Sequence, residues 1–178
     1  MRFPILVPLL LLLAPSVAVA GDDAHLISSA RATVQTFKKK DANLEKFFSS
    51  AVGYVVFPTI AKGGLVVGGA GGDGVLFVGG QPVGRASLGQ ASVGFQLGGQ
   101  TYSEIIFFES QSTLSDLKNG HFALAAQASA VALSAGAAAS ANYENGVAIF
   151  AATKTGLMGE ASVGGQKFGY RPFGAQKK

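Results

Sequence analysis

The chain has no cysteine, no tryptophan and only two histidines, and charged residues make up 13% of its 178 positions. Each scarcity removes a class of chemistry. Without cysteine there is no disulfide scaffold, no thiolate nucleophile and no thiolate metal site. His25 falls close to the start of the chain. His121 follows Asn119-Gly120, where a polar turn residue is the simplest reading. No His-Glu-x-x-His, Gly-x-Ser-x-Gly or EF-hand pattern is present, and the acidic residues are mostly isolated from one another. These absences lead us to expect no enzymatic activity, no metal and no cofactor.

What is present begins with a leader. Met1 and Arg2 precede an apolar stretch from Ile5 to Ala14, and Ala18-Val19-Ala20 is the small-x-small pattern that signal peptidases accept. The apolar stretch is shorter than the roughly 20 residues of a spanning helix, and Pro4, Pro8 and Pro15 interrupt or flank it. Residues 1–20 therefore read as a cleavable secretory signal. Residues 21–178 read as one exported domain, periplasmic or secreted, with no lipid-carrying Cys. A chain of about 150 residues buries roughly 68–70% of its unfolded surface, enough to fold without disulfides.

Charge is unevenly spread. Setting Arg2 aside leaves thirteen basic and ten acidic residues, a mild excess that does not by itself imply nucleic acid. Arg31, Lys38, Lys39, Lys40 and Lys46 lie within sixteen residues, whereas Leu65 to Ser103 carries only Asp73 and Arg85. The result is a basic head on a nearly uncharged, glycine-rich body.

In the head, Leu26, Ile27, Ala30, Val34, Phe37, Leu44 and Phe48 recur at helical spacing, and Asp41 is a good N-cap. We expect amphipathic helices over about 24–39 and 42–50. Beyond residue 51, short Val, Ile, Phe and Leu runs at 52–57, 64–67, 75–78, 92–97 and 104–108 are punctuated by glycines and read as antiparallel strands. Thr113-Leu114-Ser115-Asp116 and Asn119-Gly120 bracket one short helix. Glu144-Asn145-Gly146 reads as a hairpin turn into a strand over 147–152, with another strand near 161–165. The alanine-rich stretch 122–142 stays open between helix and strand on composition.

Two features invite functional readings. Gly68-Gly69-Ala70-Gly71-Gly72-Asp73-Gly74 superficially suggests a phosphate loop. It leads into the strand-like Val75 to Val78 rather than a helix, so a tight turn with positive φ is the better reading. The lysine cluster is either a solvated helix end opposite the C-terminal dipole or a basic face that adsorbs on an anionic surface, and composition leaves both open.

Specific residues tilt that balance. Phe57-Pro58-Thr59-Ile60-Ala61-Lys62-Gly63-Gly64, Gly72-Asp73-Gly74-Val75-Leu76, Ser92-Val93-Gly94-Phe95-Gln96-Leu97-Gly98-Gly99-Gln100 with Ile105 to Phe108, and Gly156-Leu157-Met158-Gly159-Glu160-Ala161 occur in one order. In this the chain resembles the SYLF domain family over about residues 30 to 170. The resemblance implies a lipid-binding module. Eukaryotic members bind phosphoinositides through a basic N-terminal segment and some bind actin filaments, and bacterial relatives are mostly envelope proteins. It aligns the basic segment with Arg31 to Lys46 and favours strands for much of 122–142. The chain departs from the family in lacking Trp near Gly80-Gln81-Pro82 and in its short tail, Arg171 to Lys178.

The expectation is thus an α+β fold: an antiparallel β-rich body, sandwich or barrel-like, with N-terminal amphipathic helices and one short internal helix. The expected activity is adsorption to an anionic phospholipid or phosphoinositide surface through Arg31, Lys38, Lys39, Lys40 and Lys46, with insertion of Phe37, Phe47 or Phe48. A structural or protein-interaction module of the bacterial envelope is the alternative. An outer-membrane barrel and a hydrolase rank below it.

Overall fold

A computed structural model describes residues 21–64, 67–93, 100–125, 128–154 and 161–175. The leader at 1–20 lies outside the described residues, as do residues 94–99 of the family block at 92–100 and residues 156–160 of the block at 156–161.

Helix α1 (Gly21–Lys40) carries Asp22 and Asp23 in its first turn and three lysines in its last, the distribution that suits the helix dipole. A 3-10 turn (Ala42–Leu44) and α2 (Glu45–Ser50) follow. As expected, Asp41 caps this junction: its side chain accepts from the Asn43 N–H. The strands are β1 (Gly53–Gly64), β2 (Val67–Val78), β3 (Gln81–Val93), β4 (Gln100–Phe108), β5 (Ser129–Ala132), β6 (Val147–Thr153), β7 (Ala161–Ser162) and β8 (Lys167–Pro172). Two further helices, α3 (Gln111–Lys118) and α4 (Ala137–Ser140), complete the described elements.

The strands form one eight-stranded sheet in the order β7-β5-β6-β4-β1-β2-β3-β8. Its pairs are antiparallel except β5–β6, which is parallel, so the sheet is mixed where a purely antiparallel body was expected. Topology shows that the sheet is rolled. Flat, its outer strands would lie about 33 Å apart at roughly 4.8 Å per strand. Yet β7 and β8 are joined only by Val163 to Gln166, a link that reaches about 17 Å at most. Curling the sheet brings its edges together, and Ala123 bridges Lys167 across the gap. The body is barrel-like.

Side chains alternate between two buried layers. Val55, Phe57, Leu76, Leu88, Ile106, Phe108 and Phe168 fill the interior of the roll. Val56, Val75, Phe77, Ile105, Phe107 and Phe150 point outward and pack beneath Ala30, Val34, Phe37, Leu44 and Phe47 of the N-terminal helices. Burial on both faces explains why these strands read as continuous apolar runs rather than alternating ones. The outward aromatic residues therefore meet helices and do not form a solvent- or lipid-facing band.

Several expectations need correction. Gly68 to Gly74 is not a turn: it lies within β2, and none of the glycines with positive φ falls there. A Cβ at Gly74 would stand 2.6 Å from the Phe57 ring and one at Gly72 2.6 Å from the Thr59 carbonyl. These glycines make room for the neighbouring strand. The N-cap of α3 is Ser110, whose hydroxyl accepts from the Thr113 N–H, so the start signal sits three residues earlier than expected. Asn119 and Gly120 (φ 73) end the helix as expected. Of the expected strand at 64–67, Gly64 ends β1, Val67 opens β2 and residues 65–66 lie outside the described residues, while most of β3 and all of β8 were not anticipated. Among the described residues of 122–142, β5 is the one strand and α4 is a single helical turn. The turn at 144–146 is as expected, with Asn145 and Gly146 both at positive φ.

Candidate functional site

Three groups of charged and polar residues stand out among the described residues. The first pins the start of α1. Arg85 of β3 donates to Asp22, to Asp23 and to Asp73 of β2, while Arg171 of β8 also donates to Asp23 at 2.8 Å. Asp23 is buried, and two guanidinium groups compensate its charge. Hydrogen bonding from Arg85 holds the Asp22 carboxyl below its ordinary range. This network fastens α1 to three strands.

The second group is the basic head, and the structure divides it. Arg31, Lys39 and Lys40 are exposed. Lys38 is half-buried, pairs with Glu45 at 2.8 Å and lies over the Phe48 ring at 4.4 Å. Lys46 is structural: its ammonium donates to the Ala139 and Ala141 carbonyls at 3.0 and 2.8 Å. Asp41 grips the other end of the same turn, accepting from the Ala138 N–H at 2.7 Å. That bond is the main reason the Asp41 carboxyl is held low. Asp41 and Lys46 together clamp α4 against the helical head.

Helical geometry separates the remaining charges further. At 3.6 residues per turn, Arg31 and Lys38 share one flank of α1, Lys39 faces solvent, and Lys40 continues the stripe of Ser29, Thr33 and Thr36. That stripe lines a crevice of about 370 Å³ whose opposite wall includes Thr59 and Lys154. The Lys154 ammonium donates to the Thr59 hydroxyl at 2.6 Å, and no acidic residue lines the crevice.

The expected insertion residues are placed differently from the lysines. Phe37 and Phe47 are 1% and 2% exposed. Phe47 packs against Phe107, Tyr143 and Phe150 with ring centroids 5.0 to 5.5 Å apart. Phe48 is half-buried, edge-on to Tyr54 and Phe107. The sheet's outward apolar face claims the rings of Phe37 and Phe47, so neither is presented at the surface of this structure.

The third group is inside the roll and was missed by sequence reading. Tyr102 and Glu104 of β4 face inward, and Gln166, just before β8, reaches them from the far side of the interior. The Gln166 amide N–H₂ lies 3.3 Å from the Glu104 Oε2 and 3.4 Å from the Tyr102 hydroxyl. Gln90 of β3 continues the inward register of Leu88, and its amide donates to the Gly164 carbonyl at 2.7 Å. Glu104 and Gln166 are fully buried. Burial pushes the Glu104 carboxyl up to about 8, opposed by the hydrogen bond from Gln166. Alternation along β4 was the signal: Glu104 sits two residues from Ile106 and therefore on the same face. His25 and His121 are both exposed and apart from this cluster.

A rolled mixed sheet under an N-terminal helical head, with exposed cations on one helix, defines an α+β domain. Comparison with known families is more specific. Residues 89–172, a little under half of the chain, match the family model described as Ysc84, Las17-binding protein actin regulator, which is consistent with the SYLF resemblance. The family is associated with lipid and actin-related binding. The match runs from within β3 to the end of β8. It includes Tyr102, Glu104 and Gln166, and it begins after the basic head. No curated protein matches the chain.

Proposed function

We propose that the protein is an exported binding module that adsorbs to anionic membrane surfaces through charge, without inserting its aromatic side chains. The observation that carries the reading is the exposure of Arg31, Lys39 and Lys40 on a helix whose opposite face is fixed to a folded body. A cation held at a rigid surface contributes on the order of 1 kcal/mol next to anionic lipid. The leader-like residues 1–20 support export, and the family's association with lipid supports the ligand class. Lys40 and Lys154 beside the acid-free crevice add positive potential on the same side of α1.

The burial of Phe37 and Phe47 also favours a second reading. A head without an available apolar face suits docking on an acidic protein surface, and the matching family's description names a protein-binding actin regulator. Liposome co-sedimentation of residues 21–178 separates the two. Adsorption predicts binding to vesicles containing phosphatidylglycerol, none to pure phosphatidylcholine, release by salt, and loss in the Arg31→Gln/Lys39→Gln/Lys40→Gln variant. Equal binding to both vesicle types, or none to either, overturns it.

A further inference from the structure

Three carboxyls are buried among the described residues, and two of them are compensated. Arg85 and Arg171 pair with Asp23, and the N–H groups of Asn43 and Ala138 bind Asp41. Glu104 differs from both. It is 0% exposed, it enters no ion pair among the described residues, and its hydrogen bond there is the 3.3 Å contact from the Gln166 amide. Its Oε1 has no partner, and neither have the amide oxygens of Gln90 and Gln166. An ionised Glu104 brings no donor to this interior and holds its charge against one long hydrogen bond. A protonated one brings an O–H, and the Tyr102 hydroxyl is a second donor.

The surroundings offer no compensating charge. β1, β3, β6, β8 and α3 present Phe57, Leu88, Ala151, Phe168 and Leu114 to the interior. The titratable groups of inward register are Tyr102 of β4, Tyr170 of β8 and Lys62 of β1, which follows Ile60 by two residues. Burial pushes both tyrosine hydroxyls up, so they remain neutral well above pH 8. Lys62 is level with Gln100, four residues or about 13 Å along β4 from Glu104, and forms no ion pair with it. Asp73, Arg85, Lys167 and Arg171 have the opposite register, and the charged residues of α3, Asp116 and Lys118, are exposed. The internal stretches outside the described residues, 65–66, 94–99, 126–127 and 155–160, contain no Lys, Arg or His. A carboxyl so placed gives up its charge rather than carry it in an apolar interior.

Gln166 connects this group to the closure of the roll. Its side chain faces Glu104 and Tyr102, while its backbone carbonyl accepts from the Leu124 N–H at 3.0 Å. The Gly165 N–H donates to the Leu124 carbonyl at 3.2 Å, and Ala123 bridges Lys167. We propose that Glu104 is an interior proton latch: as a neutral acid it holds Gln166 and the 163–167 joint in place, and its ionisation in alkaline solution draws water in there and loosens the closure. Burial raises the Glu104 carboxyl from its ordinary 4.5 to about 8, so the folded chain keeps a proton that the unfolded chain releases. The stability this proton contributes is complete below pH 4.5, declines as pH rises and is lost above about 8. The basic head packs on the outward layer, so the latch acts independently of adsorption.

Two measurements on residues 21–178 test the latch. With glutamate labelled by ¹³C at the side-chain carboxyl, the Glu104 signal, assigned through bonds, should be that of a protonated acid at pH 6 and should titrate near pH 8. A Glu104 carboxyl already ionised at pH 6 overturns the proposal, and this titration needs the wild-type chain alone. Hydrogen exchange then reads the closure. Protection of the Leu124 and Gly165 amides, corrected for intrinsic exchange, should fall by up to tenfold per pH unit between pH 5 and 8 and level off above about 9. In Glu104→Gln, whose side chain is neutral at every pH, it should stay constant, leaving the variant better protected than wild type at pH 9. If Glu104→Gln fails to fold, Glu104→Met takes its place with the same expectation. Protection that falls equally in wild type and variant, or in neither, overturns the link between Glu104 and the closure.

Discussion

The two ends of α1 carry opposite charges and have opposite fates. At its start, Asp22 and Asp23 are bound into a five-residue network with Arg85, Asp73 and Arg171, drawn from β2, β3 and β8. At its end, Lys38 finds Glu45, but Lys39 and Lys40 remain at the surface. Charge density alone does not distinguish these ends. The difference is what lies beneath them: the start of α1 rests beside strands that carry arginines on their outward face, whereas its end overhangs the aromatic layer around Phe107 and Phe150. A charge committed to partners inside the molecule holds the fold, and one left outside is available to other molecules.

The largest effect expected lies directly under the basic end rather than on it. Phe47→Ala removes a ring that packs against three others and should cost about 3–5 kcal/mol in denaturant unfolding. A loss under 1 kcal/mol would mean that the helical head is not fastened as described. At the acidic end, Arg85→Gln leaves buried Asp23 with Arg171 alone, and we expect a loss of about 1–3 kcal/mol, measured in the same way. A neutral outcome would show that Arg171 suffices and that the two ends are less different than they look.

Acid should act on the junction between the ends. The Ala138 N–H lowers the Asp41 carboxyl from its ordinary 3.8, so the folded state favours the ionised form. Its contribution is complete above pH 3.8 and fades as pH falls through the lower folded value. Wild type and Asp41→Asn should therefore differ in stability at pH 6 and converge as pH falls through the lowered value of the folded state, as followed by circular dichroism. A gap that stays constant with pH would remove the clamp on α4 from the account. The smallest effect on folding is expected at the basic end. Arg31→Gln/Lys39→Gln/Lys40→Gln should change unfolding free energy by no more than about 0.5 kcal/mol, while affinity for anionic vesicles falls on the order of a hundredfold. A large loss of stability in this variant would break the comparison outright.

Much of the fold was legible wherever local chemistry decides. Helical spacing in the head, the Asp41 cap, the Asn119-Gly120 stop and the Asn145-Gly146 turn all express short-range preferences, and all appear as read. The Gly68 to Gly74 stretch was misread because glycine serves two ends. It permits positive φ, and it also removes a Cβ where strands crowd, which depends on a neighbour such as Phe57 that is distant in sequence. The site was legible by halves. The lysines could be seen, but not that Lys46 would cap a turn formed 93 residues later. The interior cluster was hidden because Gln166 meets Glu104 and Tyr102 only when the sheet closes.

By itself, then, the sequence determined the helical head, its charge and the strand-rich body, because periodicity, capping and turn chemistry are local properties of the chain. The tertiary structure alone decided which of the charged residues face outward and which phenylalanines are core. It also decided that a lone carboxyl and two glutamines share one apolar interior. The physical reason is the rolling of the sheet under the helical head: it buries both faces of the central strands and brings residues distant in sequence within hydrogen-bonding distance, a relation that no spacing along the chain encodes.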